Sequence, residues 1–165
     1  MSRCSSNGYK KTPNVIFLLI GGNLVNYKVN FLEHTKSYIK EKKLEQYFYF
    51  VGEVQNPMPY IELFDVGCLI SHYEGFGNAL VEYMLKRKPV IGTNVGGIKD
   101  IIDDGENGFL IPPQNAVLLS EKIIYLLQNS SIAKEMGENG YQKAIREYDM
   151  NVWVEKIIKL YQSVL

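Results

Sequence analysis

The stretch Val66–Gly92, "VGCLISHYEGFGNALVEYMLKRKPVIG", decides the fold. It opens on an apolar run, Val66–Ile70, and bends at Gly75-Phe76-Gly77. It continues at helical spacing from Gly77 to Leu85 and closes on a second apolar run, Pro89–Ile91, stopped by Gly92. Short continuous runs of Val, Ile and Leu fit strands buried on both faces, which is the condition of a parallel sheet. Strand, helix and strand therefore follow one another here with only tight turns between them.

The same alternation extends outward in both directions. Val15–Ile20 reads as a strand ended by Gly21-Gly22, and residues 24–43 as a helix with Phe31, Leu32, Tyr38 and Ile39 at helical spacing. Tyr47–Val51 is a strand stopped by Gly52, Pro57–Leu63 a short helix, Gly97–Ile102 another, and Phe109–Ile111 a last strand closed by Pro112-Pro113. Helices finish the chain. Asn115, Ser131 and Asn151 are their expected caps. Val117, Leu118, Ile123, Ile124 and Leu127 form an apolar face on the first, and Val154, Ile157, Ile158 and Tyr161 one on the last. Strands alternating with helices predict an α/β fold: a single Rossmann-like domain, an open parallel β-sheet flanked by helices. Residues 1–13 are polar and read as a flexible arm, and residues 14–165 as the folded domain.

The composition excludes several classes. The 165 residues, 46% hydrophobic and 22% charged, suit one ordinary globular domain. Eighteen basic and eighteen acidic side chains cancel, so nothing electrostatic points to nucleic acid as a partner. Cys4 and Cys68 have no metal-ligand spacing and fit a reducing, cytoplasmic setting. The N-terminus lacks a signal-peptide pattern, and "VIFLLIGG" is too short to span a bilayer.

Ligands of open parallel sheets bind outside the carboxyl ends of the strands. The glycines after Ile20, Val51 and Ile91 and the turn after Ile70 all fall at such ends. A helix starting near Gly77 points unpaired amides and a positive dipole end outward, a ready site for phosphate. Gly75 and Gly77 leave the backbone bare for close approach. Glu82 lies about 7–8 Å along the helix axis from Gly77, too far for comfortable sharing of one metal with Glu74. The two carboxylates can instead accept hydroxyls at opposite ends of one ligand, with phosphates between them. A sugar–diphosphate–nucleoside meets that description.

The stretch from Tyr73 to Pro113 resembles the carboxyl-terminal donor domain of family 4 (group 1) retaining glycosyltransferases, half of a GT-B fold. Four pieces stand in register: E-x7-E from Glu74 to Glu82, a strand Pro89-Val90-Ile91, a G-G-x-x-E/D turn from Gly96 to Asp100, and an N-G-[FL]-L-[IV]-P-P closure from Asn107 to Pro113. The resemblance implies that Glu82 binds the ribose of the nucleotide and that Glu74 contacts the donor sugar beside the reacting carbon, the catalytic position. It implies that the amides of Gly75, Phe76 and Gly77 hold the diphosphate or sugar. The Val51–Val54 turn (Val51, Gly52 and Val54) would flank the base, and Gly21 and Gly22 would let the ligand approach. The family works without a bound metal or cofactor, in keeping with the lack of a DxD motif. The sequence departs from the pattern at Asp100, where glutamate is commoner.

The resemblance also implies a nucleotide-sugar-dependent retaining transferase acting in polysaccharide or glycoconjugate synthesis, of which this chain is the donor-binding half. The acceptor domain, in cis or in a partner chain, is expected to lie outside it, together with a strand and a loop carrying an arginine and a lysine against the diphosphate. Lys10 and Lys11 precede the wrong strand to replace them. Two carboxylates around a diphosphate without those cations repel it, so the chain alone is expected to bind donor weakly and transfer little. The alternatives are a non-catalytic nucleotide-sugar-binding or partner-pairing module and a fragment of a GT-B sugar-nucleotide epimerase. A dinucleotide oxidoreductase fits poorly, because "GGNLVN" stands after Ile20 in place of G-x-G-x-x-G. The cluster Lys86-Arg87-Lys88 offers weak contact with anionic lipid at the inner membrane face, or a solvated helix end. Asp103, Asp104 and Glu106 read as a solvated turn. His72 and His34 receive no role, and the tyrosines are expected to pack.

Overall fold

The computed structural model describes residues 15–22 and 31–164. The arm assigned to residues 1–13 and the first part of the helix expected over 24–43 lie outside the described residues. The chain forms two compact units, divided between Pro57 and Met58.

The smaller unit contains β1 (Phe17–Ile20), α1 (Phe31–Glu41), a 3₁₀ turn (Glu45–Tyr47) and β2 (Phe48–Gly52). β1 and β2 run parallel, with Phe17 opposite Phe48 and Ile20 opposite Gly52. The facing Phe17 and Phe48 rings stack with centroids 4.7 Å apart, the kind of cross-strand aromatic pair that fixes register. Of the apolar positions expected on α1, Ile39 is buried, whereas Phe31 and Tyr38 are exposed.

The larger unit holds α2 (Met58–Ile61), β3 (Gly67–Leu69), α3 (Asn78–Leu85), β4 (Val90–Thr93), α4 (Ile98–Ile101), β5 (Gly108–Ile111), α5 (Ala116–Gln128), α6 (Ser130–Glu147) and α7 (Met150–Val164). The expected α/β pattern of parallel strands flanked by helices holds, with boundaries moved by a residue or two. β3, β4 and β5 form a parallel sheet with β4 in the centre. Every residue of β4 is buried, and its pleat divides the core. Val90 packs with Leu80, Met84, Ile98, Ile101, Ile102 and Ala144. Ile91 packs on the opposite face with Phe109, Ile111, Leu126 and Met136.

Bare backbone lets these layers close. A Cβ on Gly92 would stand 2.5 Å from Ile98, so only glycine lets α4 press on β4. On α6, a Cβ at Gly137 would lie 2.1 Å from the Arg87 carbonyl oxygen, and one at Gly140 3.1 Å from Met84. These small residues seat α6 against the C-terminal end of α3, which fixes the direction in which α3 presents its N-terminus.

The caps are partly as expected. Asn115 accepts the Leu118 amide at 3.0 Å and caps α5. Ser131 does not cap α6: that helix starts at Ser130, behind Asn129, without a side-chain cap bond. Asn151 does not cap α7 either. Asp149 does so, accepting the Asn151 amide at 2.8 Å, and a carboxylate there also suits the positive end of the helix dipole. The apolar residues of α7 — Val154, Ile157, Ile158 and Tyr161 — are exposed.

Candidate functional site

The turn Glu74–Gly77 leaves the end of β3 and becomes α3, and its shape follows from two glycines. Gly77 is the N-cap of α3 with φ +101°, in the left-handed region that side chains rarely adopt. Gly75 faces open space: a Cβ there would meet nothing within 4 Å. No side chain caps α3. The amides of Gly75, Phe76, Gly77, Asn78 and Ala79 find no acceptor among the described residues. A run of unpaired donors at a helix start, with the dipole behind it, is an anion cradle.

The two glutamates flank this run in the chain, and both are half-buried. Burial pushes the Glu82 carboxyl above the usual carboxylate range, because a low-dielectric setting disfavours the charged form. Glu74 lies close to Ser71, whose hydroxyl donates to Glu74 Oε2 at 3.4 Å. Phe76 is held at its edge by Tyr148, ring to ring at 5.6 Å.

A second turn supports the first. The Glu74 carbonyl lies over Gly96-Gly97 and accepts the Gly97 amide at 3.4 Å. A Cβ on Gly96 (φ +48°) would stand 1.8 Å from that oxygen, and one on Gly97 2.6 Å from the Gly75 oxygen. The glycine pair is thus bare because the Glu74–Phe76 backbone rests on it. Asp100, where glutamate is commoner, acts here through its backbone: its carbonyl accepts Lys143 Nζ at 3.2 Å and Tyr148 Oη at 3.4 Å.

Lys143 is buried and also reaches both Asp103 oxygens at 2.9 Å. Asp104 accepts the Leu110 amide at 2.9 Å, and buried Asn107 accepts the Asp103 amide at 3.0 Å. The Asp103–Glu106 segment is exposed but is more than the solvated turn expected, because its carboxylates anchor β5 and α6. The basic cluster is also engaged. Lys86 pairs with Glu62, Lys88 donates to the Glu62 carbonyl, and Arg87 pairs with Glu138 and lies 3.6 Å from the centre of the Tyr141 ring.

The expected ligand-approach residues lie in the smaller unit. Gly21 has φ +124° with open space on its Cβ side, and its amide donates to the Gly52 carbonyl at 2.9 Å. Gly22 differs: a Cβ there would stand 2.6 Å from Glu53 Oε1, so the room it leaves is filled by Glu53. Val51 is the penultimate residue of β2, Gly52 ends it with φ +83°, and Val54 is half-buried just beyond. The structure thus brings Glu74, Gly75, Phe76, Gly77 and Glu82 into one loop and helix, and Gly21, Gly22, Val51, Gly52 and Val54 into one pair of strand ends. His72 and His34 are exposed.

Sequence reasoning passed over Ser71, Thr93 and Tyr148. Their signal was the position of Ser71 and Thr93 at adjacent strand ends, which patterns of apolar periodicity do not weigh. Among the described residues, no group of three or more His, Cys, Asp or Glu side chains is placed to hold a metal ion. No helix among them is long and apolar enough to cross a membrane.

Known proteins resemble this chain in sequence and in fold. The family described as "Glycosyl transferases group 1" matches residues 5–143. A poly(ribitol-phosphate) alpha-N-acetylglucosaminyltransferase of Staphylococcus aureus is 30% identical over 155 residues, 93% of this chain and 30% of the relative. The chain therefore spans about a third of the length of that relative. The solved structure of Anabaena HepE with UDP-glucose superposes with a TM-score of 0.84 at 25% identity, over 92% of this chain and 42% of that one. The C-terminal domain of a group 1 family protein, LpcC of Francisella tularensis, superposes at 0.78 with 26% identity, over 89% of this chain and 76% of that one.

Proposed function

This chain belongs to the group 1 glycosyltransferases, and we propose that within such an enzyme it is the half that binds a nucleotide-diphosphate sugar and presents the sugar for transfer. The observation that carries this reading is the run of unpaired amides from Gly75 to Ala79 between two half-buried glutamates. The diphosphate rests on those amides, where the helix dipole stabilises the charge that grows as the leaving group departs. Glu82 accepts the ribose hydroxyls and Glu74 a hydroxyl of the sugar. The glycosyl group passes to an acceptor hydroxyl with its anomeric configuration retained. The amides of this turn, rather than a metal, carry the diphosphate charge.

Val51, Gly52, Val54 and Gly21, at the strand ends of the smaller unit, are candidate base and backbone contacts on the family resemblance alone. The acceptor domain and the cations facing the diphosphate come from further chain, in cis or from a partner. The reaction belongs to the cytoplasm, with any contact at the inner membrane face weak. The named relatives favour transfer over the epimerase and pairing-module alternatives, since those cited act as, or belong to a family of, glycosyltransferases.

Calorimetric titration of the chain with UDP-, GDP- and ADP-sugars tests the proposal. The expected result is saturable, millimolar-range binding of one nucleotide class, weakened about tenfold by Glu82→Gln through loss of a charge-assisted bond. Micromolar affinity contradicts the claim that the missing cations matter. Binding indifferent to Glu82→Gln contradicts the assignment of the ribose.

A further inference from the structure

Thr93 is the last residue of β4 and is 1% exposed. Its hydroxyl donates to the Ser71 carbonyl at 2.7 Å and accepts the Ser71 amide at 3.0 Å. One side chain thereby takes both backbone groups of a residue that lies beyond the end of β3, where strand pairing has stopped. Ser71 Oγ in turn donates to Glu74 Oε2 at 3.4 Å. Valine has the same shape as threonine, and burying a hydroxyl costs free energy unless it is bonded. The hydroxyl is therefore explained by the Ser71 clamp and not by packing.

The Ser71–Glu74 distance is long for a hydroxyl–carboxylate bond. Catalytic hydrogen bonds commonly tighten in the reacting complex. Tightening is specific only if the serine does not move, and Thr93 immobilises it. Meanwhile the backbone of Glu74 is fixed independently by Gly96-Gly97.

We propose that Thr93 is a positioning residue which, through Ser71, aims the Glu74 carboxylate at the donor sugar. This rests on the reading of the Glu74–Gly77 turn as the donor site. It predicts a division of labour: the nucleotide is held by Glu82 and the turn amides, and only the contribution of the sugar depends on Thr93.

Two arms test it on this chain, with Thr93→Val, Thr93→Ser and Ser71→Ala. In the first arm, binding of UDP and of UDP-glucose is compared by NMR titration. Thr93→Val should leave UDP affinity unchanged and remove about tenfold of whatever affinity glucose adds, the size of one charge-assisted bond. Thr93→Ser should restore it, and Ser71→Ala should reproduce the loss without touching the buried strand end. In the second arm, amide exchange of Ser71 and side-chain couplings of Glu74 are measured without ligand. Thr93→Val should speed exchange and average the Glu74 rotamers, and Ser71→Ala should do only the latter. Equal loss of UDP and UDP-glucose makes the role merely structural and overturns the proposal, as do Glu74 couplings unchanged in both variants. If the unaltered chain binds neither probe, UDP recognition at this turn fails, and Thr93 is judged on the couplings alone.

Discussion

Replacing Gly96 by alanine tests whether the second glycine turn is the seat of the first. Gly96 has φ +48°, and the new Cβ would stand 1.8 Å from the Glu74 carbonyl oxygen and 2.9 Å from its carbon. Contacts below 3.0 Å essentially never occur for Cβ atoms, so the two turns must separate by about 1.2 Å, the difference between 3.0 and 1.8 Å. A left-handed alanine costs about 1–2 kcal/mol. Losing the Gly97–Glu74 backbone bond adds about 0.5–1.5 kcal/mol. The total of about 1.5–3.5 kcal/mol leaves a typical domain folded, since stabilities run about 5–15 kcal/mol. Function should suffer more, because a misplacement of about 1 Å can cost on the order of 100-fold in rate. Gly105→Ala is the control: φ is +83° but nothing lies within 4 Å, so it carries the conformational cost without the displacement. Urea denaturation and UDP-sugar titration of both variants give the answer. Gly96→Ala should lose more stability than Gly105→Ala and alone lose the affinity added by the sugar. Equal behaviour of the two would refute the account of the paired turns.

Glu82→Gln should be slightly more stable than the parent near neutral pH and no more stable in acid. A carboxyl whose folded pKa is raised contributes stability below its ordinary pKa and loses it as pH rises through the folded value; urea denaturation at both conditions shows the sign. Donor binding should run the opposite way, weakening as pH falls through the raised pKa of Glu82, at a pH above that of an ordinary carboxylate. Asp103→Ala should destabilise by about 1–3 kcal/mol, because it strands the buried Lys143, while Lys143→Met should cost less since Asp103 is half-exposed; chemical denaturation of the pair measures the asymmetry. Asp149→Ala should cost about 1 kcal/mol as a lost helix cap and raise amide exchange in the first turn of α7.

Much of this was legible in the sequence because it is local. The β3–α3–β4 stretch announces itself by two apolar runs on either side of a glycine turn and a helical pattern, and Asn115 caps as its position suggests. Glu74, Gly75, Gly77 and Glu82 could be singled out as candidates because their spacing on a turn and helix fixes their relation. What escaped depends on contacts between segments far apart in the chain. Thr93 is twenty-two positions from Ser71, and its hydroxyl looks like any strand threonine until the strands are aligned. Gly22 read as a place for ligand because bareness alone does not reveal what fills it, here Glu53. Asn151 lost the cap to Asp149 because two capping residues stood two positions apart and the helix start chose between them. Asp103 looked solvated because its partner, Lys143, lies forty residues on in another helix.

The most direct measurement is an amide-shift map of the isotopically labelled chain titrated with UDP-glucose. The account predicts the largest shifts at Gly75, Phe76, Gly77 and Asn78, with a smaller response at Glu82. Shifts gathered elsewhere, such as the shallow cleft lined by Gly105, Glu106 and Asn139, with the Glu74–Asn78 amides unmoved, would contradict it.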